Sequence, residues 1–158
     1  MIAFSARLGL VALLSITPAI AASAKPRPKH AASHIDVVSR SVNATFCENG
    51  ACEPVTLRIP TGDSFIMDRW GDHREPVRIA NIDAPMINAK CLGERTSAQL
   101  AVDRLAQHLS QAAFTMARLY TDRSGTIAFV SVNRRDLGYI LSRDRVVWPW
   151  EPRHRSWC

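Results

Sequence analysis

The chain has 158 residues, of which 47% are hydrophobic and 22% are charged. These values are ordinary for one globular domain and exclude a chain of several large domains. The formal net charge of +6 permits nucleic acid, anionic lipid or cell-wall polyanions as partners. It requires none of them, because part of the positive charge lies in two segments that read as solvated tails, residues 25–30 and 153–155.

The first 24 residues predict a cleavable secretory signal. They carry one positive charge, Arg7, followed by an apolar run over residues 8–20 and by Ala-x-Ala patterns that end at Ala22 and Ala24. The run is too short for a stop-transfer helix, and the alternative is an uncleaved membrane anchor. We therefore expect an exported protein, periplasmic or secreted, without a membrane span once the signal is removed.

Residues 25–36 predict a disordered basic linker, and the folded domain is expected over residues 37–158. The linker is rich in Lys, Pro, Ala and Ser and has no periodicity. From residue 37 the apolar side chains follow a strand-like spacing that is interrupted by turns. This spacing predicts strands at residues 37–46, 53–59, 63–68 and 76–82.

The second half of the domain predicts one main helix, a β-hairpin and a short C-terminal helix. Apolar residues over 93–111 recur at helical spacing and predict an amphipathic helix of about five turns. Residues 114–121 and 126–133 predict the hairpin, with DRSG as its turn. The short helix is expected over residues 136–143. Periodicity alone therefore predicts an α+β fold, or an all-β fold with added helices.

The C-terminal tail, VVWPWEPRHRSWC, contains three tryptophans, Trp148, Trp150 and Trp157. Exposed tryptophans could form a platform for stacking bases or sugars. At the end of a chain that must pack back on a small barrel, we favour the interpretation that they complete the core.

Four cysteines follow the signal, and an even number in an exported chain indicates two disulfides with three possible connectivities. Their spacing is not that of a zinc site. The Asn-Gly pair at the centre of FCENGAC favours a tight turn that joins Cys47 to Cys52. This choice leaves Cys91 to pair with Cys158.

Three sequence motifs occur in a fixed order along the domain: TGDS at residues 61–64, VRIANIDAP at residues 77–85, and DRSGTI followed by RDLG within residues 122–138. In order and spacing they resemble the thermonuclease, or staphylococcal-nuclease-like, family, and the resemblance covers roughly residues 53–158. It implies a mainly β (α+β) fold, a five-stranded OB-fold Greek-key barrel with one main helix and a short C-terminal helix. It also implies a site for Ca²⁺-dependent phosphodiester hydrolysis on the barrel surface.

The resemblance assigns roles to four positions. Asp63 and Asp83 correspond to the metal-ligand carboxylates, with the Ala84 backbone carbonyl beside them, and Arg78 corresponds to the arginine that contacts the substrate phosphate. Two carboxylates completed by water make a weak Ca²⁺ site. The alternative is that both aspartates are ordinary turn residues at strand ends, where Asp is favoured.

Two departures from the family pattern concern catalysis. Met86 stands where the family has its general-base glutamate, and Thr126 follows Gly125 where the family has an arginine. Loss of a general base costs about 10²–10⁴ in rate, and loss of a preorganised charge-stabilising group costs about 10²–10³. The residues that could compensate are Arg123, Glu75 and Glu94.

Two functions therefore remain open from the sequence. The first is an exported nuclease-like hydrolase whose activity on nucleic acid is weak or lapsed. The alternative is a non-catalytic OB-fold module that binds a polyanion or a protein partner in the cell envelope. A structural domain without a ligand is a third interpretation, and a monomer is the default expectation.

Overall fold

The structure, a computed structural model, describes residues 39–69, 73–152 and 156–158. The predicted signal, residues 1–24, and the predicted linker, residues 25–36, lie outside the described residues. In the part that is described, the elements are β1 Arg40–Glu48, β2 Ala51–Thr61, β3 Ser64–Asp68, β4 Arg74–Ile79, β5 Ile82–Asp83, α1 Leu92–Gln111, β6 Phe114–Asp122, β7 Gly125–Val132, β8 Arg135–Asp136, α2 Leu137–Arg143 and β9 Trp148–Pro149.

Six of the strands close a barrel. Strands β1 to β4 form an antiparallel meander, and β6 and β7 form a hairpin. Parallel pairing of β1 with β6 and of β4 with β7 joins the two parts and completes the closure. The fold is mainly β with two helices, which confirms the expected class, but the barrel has six strands rather than five.

The additional barrel strand is β1. It lies between β2 and β6 in the sheet, and it precedes residue 53, where the resemblance to the thermonuclease family begins. The turn Asn49-Gly50 joins β1 to β2, and its two residues have positive φ values of 52° and 81°. Positive φ at both central residues is typical of the tight hairpin turn that matches strand twist. The turn sets Cys47 opposite Cys52, and these two cysteines form a disulfide.

Helix α1 packs one face against the barrel. Its buried side chains include Ala98, Val102, Leu105 and Leu109, whereas Leu100 is half exposed. The β2–β3 turn approaches the helix so closely that a Cβ on Gly62 would lie 2.3 Å from the Cβ of Ala101. Only glycine allows this approach, which fixes the position of the turn that carries Asp63.

The rim of the barrel carries a network of ion pairs between strands distant in sequence. The Arg118 guanidinium on β6 binds Glu75 on β4 through two hydrogen bonds of 2.7 and 2.8 Å, and it also contacts Glu48 on β1. Arg69 pairs with Glu53 at 2.5 Å and with Glu48 at 3.4 Å. The network therefore ties the hairpin β6–β7 to both β1 and β4.

The C-terminal segment returns to the loop that follows β4. Strand β9 pairs with β5, so that Trp148 lies opposite Asp83, and the rings of Trp148 and Trp157 meet edge to face at 5.2 Å. A disulfide joins Cys158 to Cys91, which caps the N-terminus of α1. Within the described ranges, neither helix has the length and apolarity needed to cross a membrane.

Candidate functional site

Asp63 and Arg78, which the sequence places on different strands, meet at the barrel surface. Asp63 lies in the β2–β3 turn, and its backbone carbonyl accepts a hydrogen bond of 2.8 Å from the Ile79 amide. Arg78 on β4 lies opposite Ser64 in the β3–β4 register. The Arg78 Nε lies 3.4 Å from the Asp63 Oδ2, and the exposed fractions of the two side chains are 52% and 13%. The arginine is thus positioned by a mostly buried carboxylate while it still faces solvent.

Both carboxylate oxygens of Asp63 have protein partners. The Thr61 hydroxyl donates a hydrogen bond of 2.7 Å to Oδ1 and also contacts the Ser64 hydroxyl. Oδ2 faces the Arg78 guanidinium. The carboxylate therefore has a fixed orientation, and each of its two oxygens has one protein partner.

The residues proposed as metal ligands would form a weak Ca²⁺ site. Asp83 is half buried in β5, and Ala84 is buried beside it. Two carboxylates and one carbonyl would need several waters to reach the roughly six to eight oxygen ligands that Ca²⁺ takes. Asp63 Oδ1 and Oδ2 each have one protein partner, and each oxygen has a second lone pair with which it could bind a cation. Among the residues that the structure describes, the one cluster of three potential metal ligands is Cys91, Glu94 and Cys158, whose two cysteines form a disulfide.

Met86, to which the resemblance assigns the general-base position, has no acid–base group. The residue is 54% exposed. Glu94, which could compensate, is buried, and its Oε1 accepts a hydrogen bond of 3.0 Å from the Met86 backbone N–H. Its Oε2 lies 3.4 Å from the Cys158 sulfur. Glu94 therefore holds the loop after β5 in place and is not presented to solvent as a base.

Glu75, the other acidic candidate, is engaged by its neighbours. In addition to the two bonds from Arg118, Glu75 Oε1 accepts a hydrogen bond of 2.9 Å from the hydroxyl of Thr126. The Arg118 hydrogen bonds lower the pKa of Glu75, and a carboxylate with a lowered pKa is a weak general base. Thr126 is itself buried. Thr126, the residue after Gly125, thus binds Glu75 and adds no positive charge beside Arg78.

Glu75→Gln is expected to remove about 1 kcal/mol of stability at neutral pH and little at acid pH. Because Arg118 lowers the pKa of Glu75 in the native state, the native protein binds this proton less tightly than the unfolded chain. The stabilisation is therefore complete above the ordinary pKa of 4.5 and is lost as the pH falls through the lowered value. Urea unfolding of both proteins across this pH range tests the expectation. A stability difference that does not shrink on acidification would contradict it.

The remaining candidate, Arg123, lies exposed in the β6–β7 turn. The turn is held by Asp122, whose carboxylate accepts hydrogen bonds from the Ser124 amide at 2.8 Å and the Ser124 hydroxyl at 2.5 Å. These bonds lower the pKa of Asp122. Arg123 does not line the grooves beside Arg78, so the structure does not bring it into the candidate site.

Two open grooves flank Arg78. The first, of about 550 Å³, we name the proline groove; its lining includes Pro60, Ser64, Ile66, Pro76 and Ser124. The second, of about 380 Å³, we name the tryptophan groove; its lining includes Asn81, Leu119, Ile127 and Trp150. Arg78, Tyr120 and Ile127 line both grooves. Among the described residues that line either groove, Arg78 is the only charged one.

Sequence reasoning missed the apolar part of this site. Leu119, Tyr120 and Trp150 are 53%, 55% and 57% exposed. Trp150 is therefore not a core residue as expected, although Trp148 and Trp157 do pack against each other. The signal in the sequence was the pair Leu119-Tyr120, since two consecutive large apolar residues break the alternation of a strand. The structure has a register shift at this point, between Arg118 and Tyr120.

Comparison with known proteins adds no assignment to this geometry. No protein-family model matches the chain, and no curated protein is significantly similar to it in sequence.

Proposed function

We propose that this chain is a thermonuclease-like protein with an OB-fold-like barrel, exported to the periplasm or beyond, that binds single-stranded nucleic acid and whose phosphodiesterase activity has lapsed. The observation that carries the proposal is the exposed Arg78 guanidinium between two apolar grooves with exposed Tyr120 and Trp150. A guanidinium binds phosphate through its planar set of donors, and exposed aromatic rings stack with bases. The two disulfides are compatible with an oxidising compartment.

Nucleic acid suits this surface better than other polyanions do. Anionic lipid and cell-wall polymers bind mainly to clusters of positive charge. In the described part of the chain, Arg78 is the one charged residue that lines the grooves, and apolar side chains surround it. A nucleic acid strand offers phosphates and flat apolar bases in alternation. Stacking on Trp150 or Tyr120 requires unpaired bases, so we propose a single strand as the ligand.

The lapse of hydrolysis is supported by what occupies the catalytic positions. Met86 has no ionisable group, Thr126 binds Glu75, and Glu94 holds the loop backbone. Weak Ca²⁺-dependent hydrolysis is the second candidate function. It is favoured because Asp63 and Arg78, which correspond to a metal ligand and to the phosphate-contacting arginine in the family resemblance, lie beside each other.

Arg78→Ala is expected to weaken binding of a short fluorescein-labelled oligothymidylate about fivefold, measured by anisotropy. Because one phosphate contact is lost, the slope of log K against log salt concentration should fall by about 0.7. Trp150→Ala should weaken binding without changing this slope, since stacking releases no counterion. Arg104→Ala, which removes an exposed charge on α1, is the matched control and should leave the affinity near that of the wild type.

Absence of binding by the wild-type protein at low salt would contradict the proposal. An Arg104→Ala effect as large as that of Arg78→Ala would show that general electrostatics, not this site, carries the affinity. Incubation of the same oligonucleotide with Ca²⁺ or with chelator separates the two candidates, because chelator-sensitive cleavage would support hydrolysis over binding alone.

A further inference from the structure

The outer face of strands β3 and β4 carries an apolar step next to Arg78. Side chains alternate along β3, so Phe65 and Met67 enter the core while Ser64 and Ile66 face outward. Ser64 lies opposite Arg78, and Ile66 lies opposite Pro76 in the same pair of strands. Ile66 and Pro76 therefore form a flat apolar floor that continues directly from the guanidinium.

The tip of the β6–β7 hairpin forms one side of the proline groove, next to this floor. Gly125 has a φ of 132°, and a Cβ at this position would lie 2.6 Å from the Pro76 carbonyl oxygen. The tip therefore rests directly on β4, which places Ser124 in the lining of the proline groove. The Ser124 hydroxyl donates its hydrogen to Asp122, so its oxygen is left to accept a hydrogen bond from a ligand.

We propose that the proline groove binds a second nucleoside of the same strand, on the side of Arg78 opposite the tryptophan groove. The inference rests on the proposed function and extends it from one base to two. The strand lies across Arg78, with the phosphate between the two nucleosides on the guanidinium and one base in each groove. Charge complementarity supports this occupant, because Arg78, held through its Nε by Asp63, is the single charged residue in the lining and meets the single charge of the internucleoside phosphate.

The chemistry of the floor fits a base. A nucleobase packs its flat face on apolar side chains such as Ile66 and Pro76, and its edge then meets the hydroxyls of Ser64 and Ser124. These two hydroxyls are a small polar part of a mainly apolar surface. We therefore expect base packing with little preference for sequence.

Calorimetric titration with thymidine 5′-monophosphate and with thymidylyl-(3′→5′)-thymidine, each of which carries one phosphate, tests the proposal on the full chain with both disulfides formed. The wild type is expected to bind the dinucleotide at least about tenfold more tightly. Ile66→Ala removes part of the floor and should weaken dinucleotide binding about fivefold while leaving mononucleotide binding within about twofold. Ile140→Ala, a half-buried isoleucine on α2 outside both grooves, is the matched control.

Each outcome separates this inference from the proposed function. If the wild type binds neither ligand, the proposed function fails and the inference fails with it. Equal affinity for the two ligands, or an Ile66→Ala effect of the same size on both, overturns only the second nucleoside site. Pro76→Ser provides a second reduction of the floor if Ile66→Ala proves unstable, and it should reproduce the selective loss of dinucleotide affinity.

Discussion

The double variant Met86→Glu/Ser124→Arg is expected to raise Ca²⁺-dependent cleavage of single-stranded DNA by at least about tenfold, or roughly 1.4 kcal/mol of transition-state stabilisation. The glutamate places a general base at an exposed loop position after β5. The arginine adds positive charge at an exposed position in the lining of the proline groove, which Arg78 also lines. The measurement is the rate of oligonucleotide cleavage with Ca²⁺ and with chelator.

Substitution at Ser124 is preferable to a change at Thr126 or to insertion of an arginine after Gly125. Thr126 is buried, lies opposite the inward-facing Val77 and donates a hydrogen bond to Glu75, so an arginine there would not reach the face that carries Arg78. Strand β7 alternates buried and half-buried residues along its length, and an inserted residue would move every following side chain to the other face of the sheet.

Two controls accompany the rebuilt variant. Met86→Gln/Ser124→Arg has a side chain of nearly the same shape as the glutamate but no base, and it should gain much less activity. Met86→Glu alone should also gain less, because the charge-stabilising partner is still missing. A rebuilt protein that folds and binds oligonucleotide like the wild type, yet cleaves nothing, would contradict the prediction and indicate that Asp63 and Asp83 do not form a working metal site.

Removal of the Cys91–Cys158 disulfide is expected to cost about 4 kcal/mol of unfolding free energy by the chain-entropy model. The bridge joins residues 67 positions apart and ties the C-terminal segment to the start of α1. Serine at both positions is the suitable replacement, since its hydroxyl can cap the helix as the Cys91 sulfur does. Urea unfolding followed by tryptophan fluorescence measures the loss, because Trp148 and Trp157 lie in the freed segment.

The second disulfide supplies the matched comparison. Cys47 and Cys52 are 5 positions apart, for which the same model gives about 2 kcal/mol. The Asn49-Gly50 turn should also keep the hairpin formed without the bridge. Equal losses from the two double serine variants would contradict an origin in loop length and would point to direct packing of the bridges.

Local signals in the sequence predicted local structure. The Asn-Gly pair predicted the hairpin turn and the Cys47–Cys52 bridge, and the change of period predicted α1, because each depends on residues near one another in the chain. The role of β1 could not be predicted in this way. Its place between β2 and β6 depends on a parallel pairing between Phe46 and Phe114, which the sequence pattern does not encode.

In the candidate site, too, local motifs could be predicted from the sequence and contacts between distant residues could not. Asp63 and Arg78 were identified from motifs, and the barrel register then brought them together. The engagement of Glu75 could not be predicted, because its partners Arg118 and Thr126 follow it by 43 and 51 positions. Tyr120 and Trp150 are far apart in the sequence, and they line one groove only because the fold brings their segments together.

The closure of the barrel also bears on how copies of this protein behave at high concentration. In the described part of the chain, every long strand has a partner on both sides, since β4 meets β7 through three residue pairs and β1 meets β6 through the pair Phe46–Phe114. Exposed strand edges are templates for edge-to-edge aggregation, and a closed barrel removes them. The strands left at a sheet margin, β5, β8 and β9, have only two residues each. We therefore expect the oxidised protein to resist amyloid-like assembly as long as the junctions between β4 and β7 and between β1 and β6 stay closed.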